Sequence, residues 1–317
     1  PFVTDFHALM RMFLGPLRAP SHPFSYARFG LQALRSMRGL ADSWFDREEG
    51  PALLAGIAAH AMIPLDLVGS ASFALVLGAA AHAVGWPLAR GGSQAITDAM
   101  LARLRALGGE ILLNSFVKSL DQLPPARRYV LDVAPSQLRR IAGSRLPRSY
   151  RERLGRFVHG PGVCKVDWAL SAPIPWRDPA CARAATVHLS GPLQAVAQAE
   201  RDVHHNLYSP TPFVLVVQAS LFDDSRAPKG AHTGWAYCHV PHGSNEDRSA
   251  AIEDHIERFA PGFRATILAR SIRTAQQLEA HNPNLIGGDI AGGSSHLTQL
   301  FFRPAAKLDP YSTGSDV

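Results

Sequence analysis

Two charges stand where a hydrophobic strand should carry none. In the stretch GPGVCKVDWAL, Lys165 and Asp167 alternate with Cys164, Val166 and Trp168. A charge inside such a strand costs heavily unless it faces solvent, a partner or a cavity. Side chains of a strand alternate, so the two share one face. Either that face is a solvent-facing edge, or it holds a Lys–Asp pair beside a cavity, where Lys165 would position a water or a substrate. A second constellation, HTGWAYCHVPH, holds His232, Cys238, His239 and His242. Their spacing matches no standard zinc pattern, and no metal is assigned. Along a strand His232 and Cys238 point one way and His239 the other. His239 is therefore taken as a cavity residue, against the alternative of a packed, hydrogen-bonded histidine.

Glycines make the other candidates. Gly91 and Gly92, beside Arg90, precede a helical pattern. Free N–H groups at a helix start favour an anion or a carbonyl; the competing reading is a tight turn with Ser93 as N-cap. Ala134 and Pro135 close an apolar strand, the end at which ligands of open α/β sheets sit, or else form a simple strand-to-helix turn. GGDIAGG, residues 287–293, is neither GxGxxG nor a phosphate loop. No Gly-x-Ser-x-Gly elbow or credible Ser-His-Asp set points to a hydrolase.

The elements that must position these residues change character along the chain. Residues 1–85 read as helices: DFHALMRMFLGPL and FSYARFGLQALRSMRGLADSWF carry apolar residues at three- and four-residue intervals, and REEGPALLAGIAAHAMIPL continues the run. The uncharged stretch from Leu67 to Leu88 is about as long as a membrane span. Its Ala, Gly and Ser content, His82 and the Gly-Trp-Pro break predict a buried helix instead. Residues 86–145 read as a helix with the stripe Ile96, Met100, Leu101, Leu104 and Leu107, then strands at EILLNSFVKSL and RRYVLDVAP. Residues 146–300 turn β-rich, with strands at GPGVCKVDWAL, ATVHLSG, PFVLVVQASL and HTGWAYCHVP between helices at LQAVAQAERDVHHNL and EDRSAAIEDHIERFAPGF. The class is α/β in the broad sense, an α+β arrangement with a mixed sheet.

Composition narrows the function. Hydrophobic residues at 46% and charged residues at 18% describe a globular chain of 317 residues with a sizeable core. The net charge of +6 comes without a basic run interleaved with exposed aromatics, which argues against a nucleic-acid partner. Three widely spaced cysteines form no disulfide framework and suit a reducing compartment. A cytoplasmic protein is expected, with peripheral membrane contact left open and the oligomeric state unassigned.

Several motifs in order resemble a known family: GWPLARGGSQAITDAMLARLRALGGEI, VLDVAPSQLRRIAG, GPGVCKVDWALSAPIPW, HTGWAYCHVPHGS, IERFAPGF and NPNLIGGDIAGGSSHLTQLFFRP. Together they are similar to the phytoene desaturase-like FAD/NAD(P)-dependent oxidoreductases, relatives of the amine oxidases, from about residue 45 onwards. The resemblance implies a two-domain flavoprotein. Residues 1–85 would be the helical cap of the substrate domain and 86–145 the central segment of a discontinuous, Rossmann-like FAD domain. Residues 146–300 would be the β-rich substrate domain, and 301–317 the return to the FAD domain. It also implies that Val117 presents its backbone to the adenine of FAD, that GGDIAGG lies near the active-site cavity, and that Arg303 reaches the cofactor. The GxGxxG loop and the flavin-closing segment are absent from this sequence, so this polypeptide alone is expected to bind FAD poorly or not at all. The implied reaction is hydride removal from, or redox isomerisation of, a small apolar polyene or lipid-like substrate. An amine-oxidase-type activity, or a non-catalytic interaction fragment, is the alternative.

Overall fold

Five strands organise the chain: β1 (Gly162–Leu170), β2 (Thr186–Leu189), β3 (Val214–Val217), β4 (His232–Val240) and β5 (Ile267–Arg273). They lie in the order β2-β3-β4-β1-β5, so the strand of Lys165 sits inside the sheet. This computed structural model describes residues 2–13, 20–304, 312–315 and 317. The first four strands fall where alternation places them; β5, with Arg270 and Arg273 between its apolar residues, escapes that reading. Every ladder is antiparallel, where a mixed sheet is expected from sequence. The reason lies in the connections. Leu189 stands opposite Val214, so the chain between β2 and β3, helix included, leaves and re-enters the sheet at the same end. A parallel neighbour would need a crossover to the far end.

One face of the sheet is roofed by helices from the first third of the chain. These are α1 (Phe6–Phe13), α2 (Pro23–Ala33), α3 (Met37–Trp44), α4 (Glu49–Ala58) and α5 (Ala71–Ala83). The run from Phe24 to Phe45, expected as one helical stretch, is two helices. Ser36 breaks it by capping α3, accepting a hydrogen bond from Gly39 N at 3.1 Å. Pro23 opens α2 in the first turn, where its missing N–H costs nothing. Buried Ala55, Ala58, Ala71 and Ala74 let α4 and α5 pack closely. Met37, Leu40, Leu65 and Phe29 meet Phe213, Leu215 and Tyr237 of the sheet side, with Val196 of α9 (Leu193–His204) and Leu278 of α12 (Ala275–His281). Cap and sheet therefore share one core. The uncharged Leu67–Leu88 run yields only α5, partly buried in this layer. Among the described residues no helix is long and apolar enough to cross a membrane.

The opposite face holds Cys164, Val166, Trp168, Val214, Val216, Ala236 and Cys238 beneath α10 (Ser249–Phe259) and α11 (Phe263–Thr266). Phe263 stands edge-on to Trp168, centroids 5.2 Å apart. Each fully buried side chain of this size contributes about 1.5–3 kcal/mol.

Residues 86–145 supply no strand to that sheet. Their helix α6 (Gln94–Ala106) buries none of its residues. A smaller core, Leu120, Ile141, Leu146, Tyr150 and Leu154, forms with α7 (Pro135–Ala142) and α8 (Arg148–Leu154). The segments EILLNSFVKSL and RRYVLDVAP, expected as strands, carry no ladder among the described residues. A strand exists only with a neighbour to share its N–H and C=O groups, and neither segment pairs with the sheet or with the other. The chain ends with α13 (Leu297–Phe301) and the described residues beyond it. Of the stretch expected to return to a cofactor domain, 305–311 and 316 lie outside the described residues.

Candidate functional site on the cap side of the sheet

Cross-strand register assembles the site. Lys165 on β1 lies opposite Tyr237 on β4 and Arg273 on β5; Tyr237 lies opposite Leu215, and Leu215 opposite His188. One row of this face thus reads Arg273, Lys165, Tyr237, Leu215, His188. The next reads Ser271, Asp167, Trp235, Val217, Thr186. Directly opposed residues of antiparallel strands put their side chains on the same face. Asp167 and Lys165 make an ion pair on this face, and the Lys165 ammonium lies 5.1 Å from the centroid of the Trp235 ring. Both members keep solvent contact, so the pair orients more than it stabilises.

Trp235, Tyr237 and His239 stand at alternate positions of β4 and stack along it, with centroids 6.3 Å and 5.8 Å apart. Tyr237 and His239 are buried and Trp235 half-buried. Burial, with Glu200 nearby, pushes the Tyr237 phenol up to about 12, so it stays a neutral O–H at ordinary pH. Beneath it the Glu200 carboxylate accepts from His239 Nδ1 at 2.7 Å, both side chains almost wholly buried. In that contact Nδ1 faces the carboxylate, while Nε2 is buried and has no hydrogen-bond partner among the described residues. His60 and His188 join through their Nε2 atoms at 3.1 Å. Burial, with His60 and then His239 beside it, lowers His188 to about 3, and burial with His239 lowers His60 to about 4. Both are neutral near pH 7, and one N–H donates to the other. The arrangement can hold an apolar molecule against an aromatic wall, with a single ammonium to orient it or hold a proton.

Of the residues singled out from sequence, Lys165 and His239 meet on this face with Tyr237 between them. The others lie elsewhere. Val117 packs against the small core of Leu120 and Ile141. Ala134 N donates to Asn284 Oδ1 at 2.9 Å and caps the helix that Pro135 begins. Gly91 and Gly92 form a left-handed turn, φ +80° and +86°. The anion that Gly91 N meets is this chain's own: the Asp223 carboxylate, at 2.7 Å. A Cβ on Gly92 would fall 2.3 Å from the Arg226 guanidinium, which can swing aside; it is the positive φ of this turn that favours glycine. Ser93 sits at the N-cap without a side-chain bond.

Arg303 belongs to the glycine-rich loop. Its Nη2 donates to Ser294 O at 3.4 Å, while burial lowers its pKa and the Asp289 charge opposes that. Asp289, fully buried in GGDIAGG, accepts from Gly160 N, Ala291 N and Gly293 N at 2.7–2.9 Å. A Cβ on Gly162, at the start of β1, would lie 2.4 Å from Gly287 O. The loop is fastened to the strand of Lys165 through its own carboxylate.

Sequence reasoning passed over Glu200, Tyr237, Trp235, His60 and His188. Two signals could have found some of them. Trp235, Tyr237 and His239 alternate, which sets them on one strand face. Glu200 lies four residues after Val196 and three before Val203, on the apolar stripe of α9.

The described residues can be tested against a dinucleotide. Its pyrophosphate needs several converging backbone N–H donors. Here Gly91 N is bound to Asp223, Gly287 N to Glu279 and Gly293 N to Asp289. These glycine turns do not fit the phosphates.

A helix-capped antiparallel sheet with an attached helix-and-extended-segment unit is a fold shared with oxidoreductases. A solved putrescine oxidase, a triple mutant redesigned in cofactor binding, superposes with a TM-score of 0.50 at 15% identity, covering 93% of this chain and 70% of that one. In sequence the chain is 28% identical to pyridine nucleotide-disulfide oxidoreductase domain-containing protein 2 of Rattus norvegicus, over 85% of this chain and 54% of that protein. It is 27% identical to the Mus musculus protein of the same name, over 71% of this chain and 45% of that protein. The chain thus spans about half the length of the curated relatives it matches. No protein-family model matches it. The likeness is to oxidoreductases, and none of these relatives singles out the phytoene desaturases.

Proposed function

We propose that this chain carries the substrate-binding sheet, its helical cap and the middle of the cofactor domain of an FAD-dependent oxidoreductase. The proposed substrate is a small apolar polyene or lipid-like molecule, oxidised by hydride removal or isomerised. The observation that carries this reading is the cap-side face of the sheet. There an aromatic row, Trp235 and Tyr237, runs beside one ammonium, Lys165, with neutral imidazoles behind it. Such rings offer an apolar substrate a surface to stack on. FAD, when bound, would supply the hydride acceptor. Lys165 would hold a water or the substrate, and the Glu200–His239 pair would keep the wall rigid from behind.

The cofactor would be completed by chain outside residues 1–317. In its favour are the occupied glycine turns and the bare apolar side of α6, where Met100 is 68% exposed and Leu107 67%. Val117, Ala134, Pro135 and Arg303 would border the flavin nucleotide from this side, with the Gly91–Gly92 turn at the start of α6. Membrane contact belongs to the same proposal, since α2 leaves Phe24 90% and Leu31 71% exposed next to Arg28. A peripheral, cytoplasm-facing protein could collect an apolar substrate there.

The test compares residues 1–317 with a longer product of the same gene that adds a GxGxxG segment upstream. The shorter protein is expected to be colourless, and FAD to leave its Tm unchanged. The longer one is expected to purify yellow and to be bleached anaerobically by an apolar polyene, more slowly with Lys165→Met. Stoichiometric flavin on residues 1–317 alone would overturn the placement of the phosphate site. A yellow longer protein that only amines reduce would overturn the substrate class.

A further inference from the structure

A cavity of about 650 Å³ lies beside the edge strand β2, walled by the 176–191 segments and the end of α10. Its volume falls within the range of small-molecule sites. It is separate from the Lys165–Asp167 face and shares only His188 with the residues described there. We propose that it binds an aromatic anion, a planar ring system carrying a phosphate or carboxylate.

Three observations support this. The walls are aromatic and already fixed. Trp176 Nε1 donates to Gln218 Oε1 at 3.0 Å, and buried Gln218 in turn donates to the Cys181 and Ala184 carbonyls at 2.7 and 2.8 Å. Arg177 N donates to Phe259 O at 3.0 Å, which ties the Trp176 segment to the end of α10, where Phe259 also lines the cavity. A ring packing on Trp176 would therefore order little that is not already ordered.

The charge is cationic and uncommitted. Arg177 and Arg258 both line the cavity, and neither guanidinium has an ion pair or side-chain hydrogen bond among the described residues. Arg258 rests 5.9 Å from the Phe259 centroid. The one carboxylate on the rim, Asp178, already accepts from Ala180 N at 2.8 Å. Two forked donors beside an aromatic slot match a phosphate or carboxylate attached to a ring. Finally, Ser190 lines the cavity, and its Oγ is buried without a hydrogen-bond partner among the described residues. A ligand oxygen would satisfy it once the side chain turns toward the cavity.

The experiment is isothermal titration of the full chain with 1-naphthyl phosphate, inorganic phosphate and 1-naphthol. Naphthyl phosphate is expected to bind one per chain, at least about tenfold tighter than either part alone, since ring and anion are recognised together. Arg177→Gln with Arg258→Gln is expected to weaken it by a further factor of about ten or more. Arg140→Gln, an exposed arginine elsewhere, is expected to leave it unchanged. Ser190→Ala, which deletes only a hydroxyl, is expected to weaken binding roughly threefold or more. An unchanged Tm in both site variants keeps the reading on the site and not on folding. Three results would overturn the proposal: no binding of naphthyl phosphate, equal binding of 1-naphthol through bare apolar surface, or full affinity in the double arginine variant.

Discussion

The sheet with its cap and the 86–145 unit are written in the same binary code, yet they end differently. In the sheet, every second residue of β1 or β4 meets a packed layer, and Phe263, Phe213, Met37 and Ile256 are fully covered. In the 86–145 unit, α6 and its C-terminal Leu107 carry an equally regular stripe, Ile96, Met100, Leu104 and Leu107, and among the described residues no layer buries it. The lesson is that amphipathic periodicity specifies an element and the side it would bury. It does not specify that the burial happens within the chain.

The strongest way to break that contrast is a pair of truncations. Phe263→Ala should cost about 3–5 kcal/mol, because it opens a cavity against Trp168. Met100→Ala should stay within about 0.5 kcal/mol. Urea unfolding measures both, and similar losses would mean that α6 is packed in solution after all.

Next in size is the buried pair behind the site. Glu200→Ala leaves His239 Nδ1 buried and without a partner, at a cost of about 1–3 kcal/mol. Glu200→Gln, which can still accept from Nδ1, should cost less. Equal losses for the two would show that the hydrogen bond to Nδ1 contributes little.

The histidines sharpen the comparison through pH. His188 and His60 are held below their usual value of 6.5, at about 3 and about 4, chiefly by burial. The unfolded chain therefore binds their protons first as pH falls. The stability they contribute is fully present above pH 6.5 and is lost between there and pH 4 to 3. The steepest slope is about 1.4 kcal/mol per pH unit for each histidine. Denaturation midpoints at pH 7, 6, 5 and 4 should show it, and His60→Asn with His188→Asn should flatten the curve. A wild-type curve already flat in that window would show that the two imidazoles are not desolvated.

Smaller effects fall in the 86–145 unit. Gly92→Ala forces a side chain into a left-handed turn beside Arg226, at about 1 kcal/mol, and a thermal melt suffices to see it. The smallest change in stability comes from Met100→Lys with Leu104→Glu, which should leave the melt within about 0.5 kcal/mol of wild type. It should also reduce self-association in size-exclusion chromatography, as expected when an exposed apolar patch is removed. Loss of folding in that variant would contradict the bare face.

Four of the five strands, both long helices of the β-rich region and the cap could be read from alternation and three-to-four-residue spacing. The misses share a cause. β5 was hidden because Arg270 and Arg273 interrupt its apolar pattern on an exposed edge. EILLNSFVKSL and RRYVLDVAP have strand composition, but a ladder is a property of two segments, and neither pairs with another among the described residues. Ser36, a capping residue in plain view, was overlooked in an otherwise continuous helical pattern.

The site divides in the same way. Local sequence alone determined that Lys165 and Asp167 share a face and that His239 points away from Cys238, because side-chain alternation is a property of one strand. Tertiary structure decided what that face is: register set Tyr237 against Lys165, α9 brought Glu200 under His239, and the cap placed His60 on His188. Those neighbours are separated by 39 to 128 residues in the chain. No short-range pattern encodes such contacts; they arise only when the apolar faces of separate elements are driven together out of water.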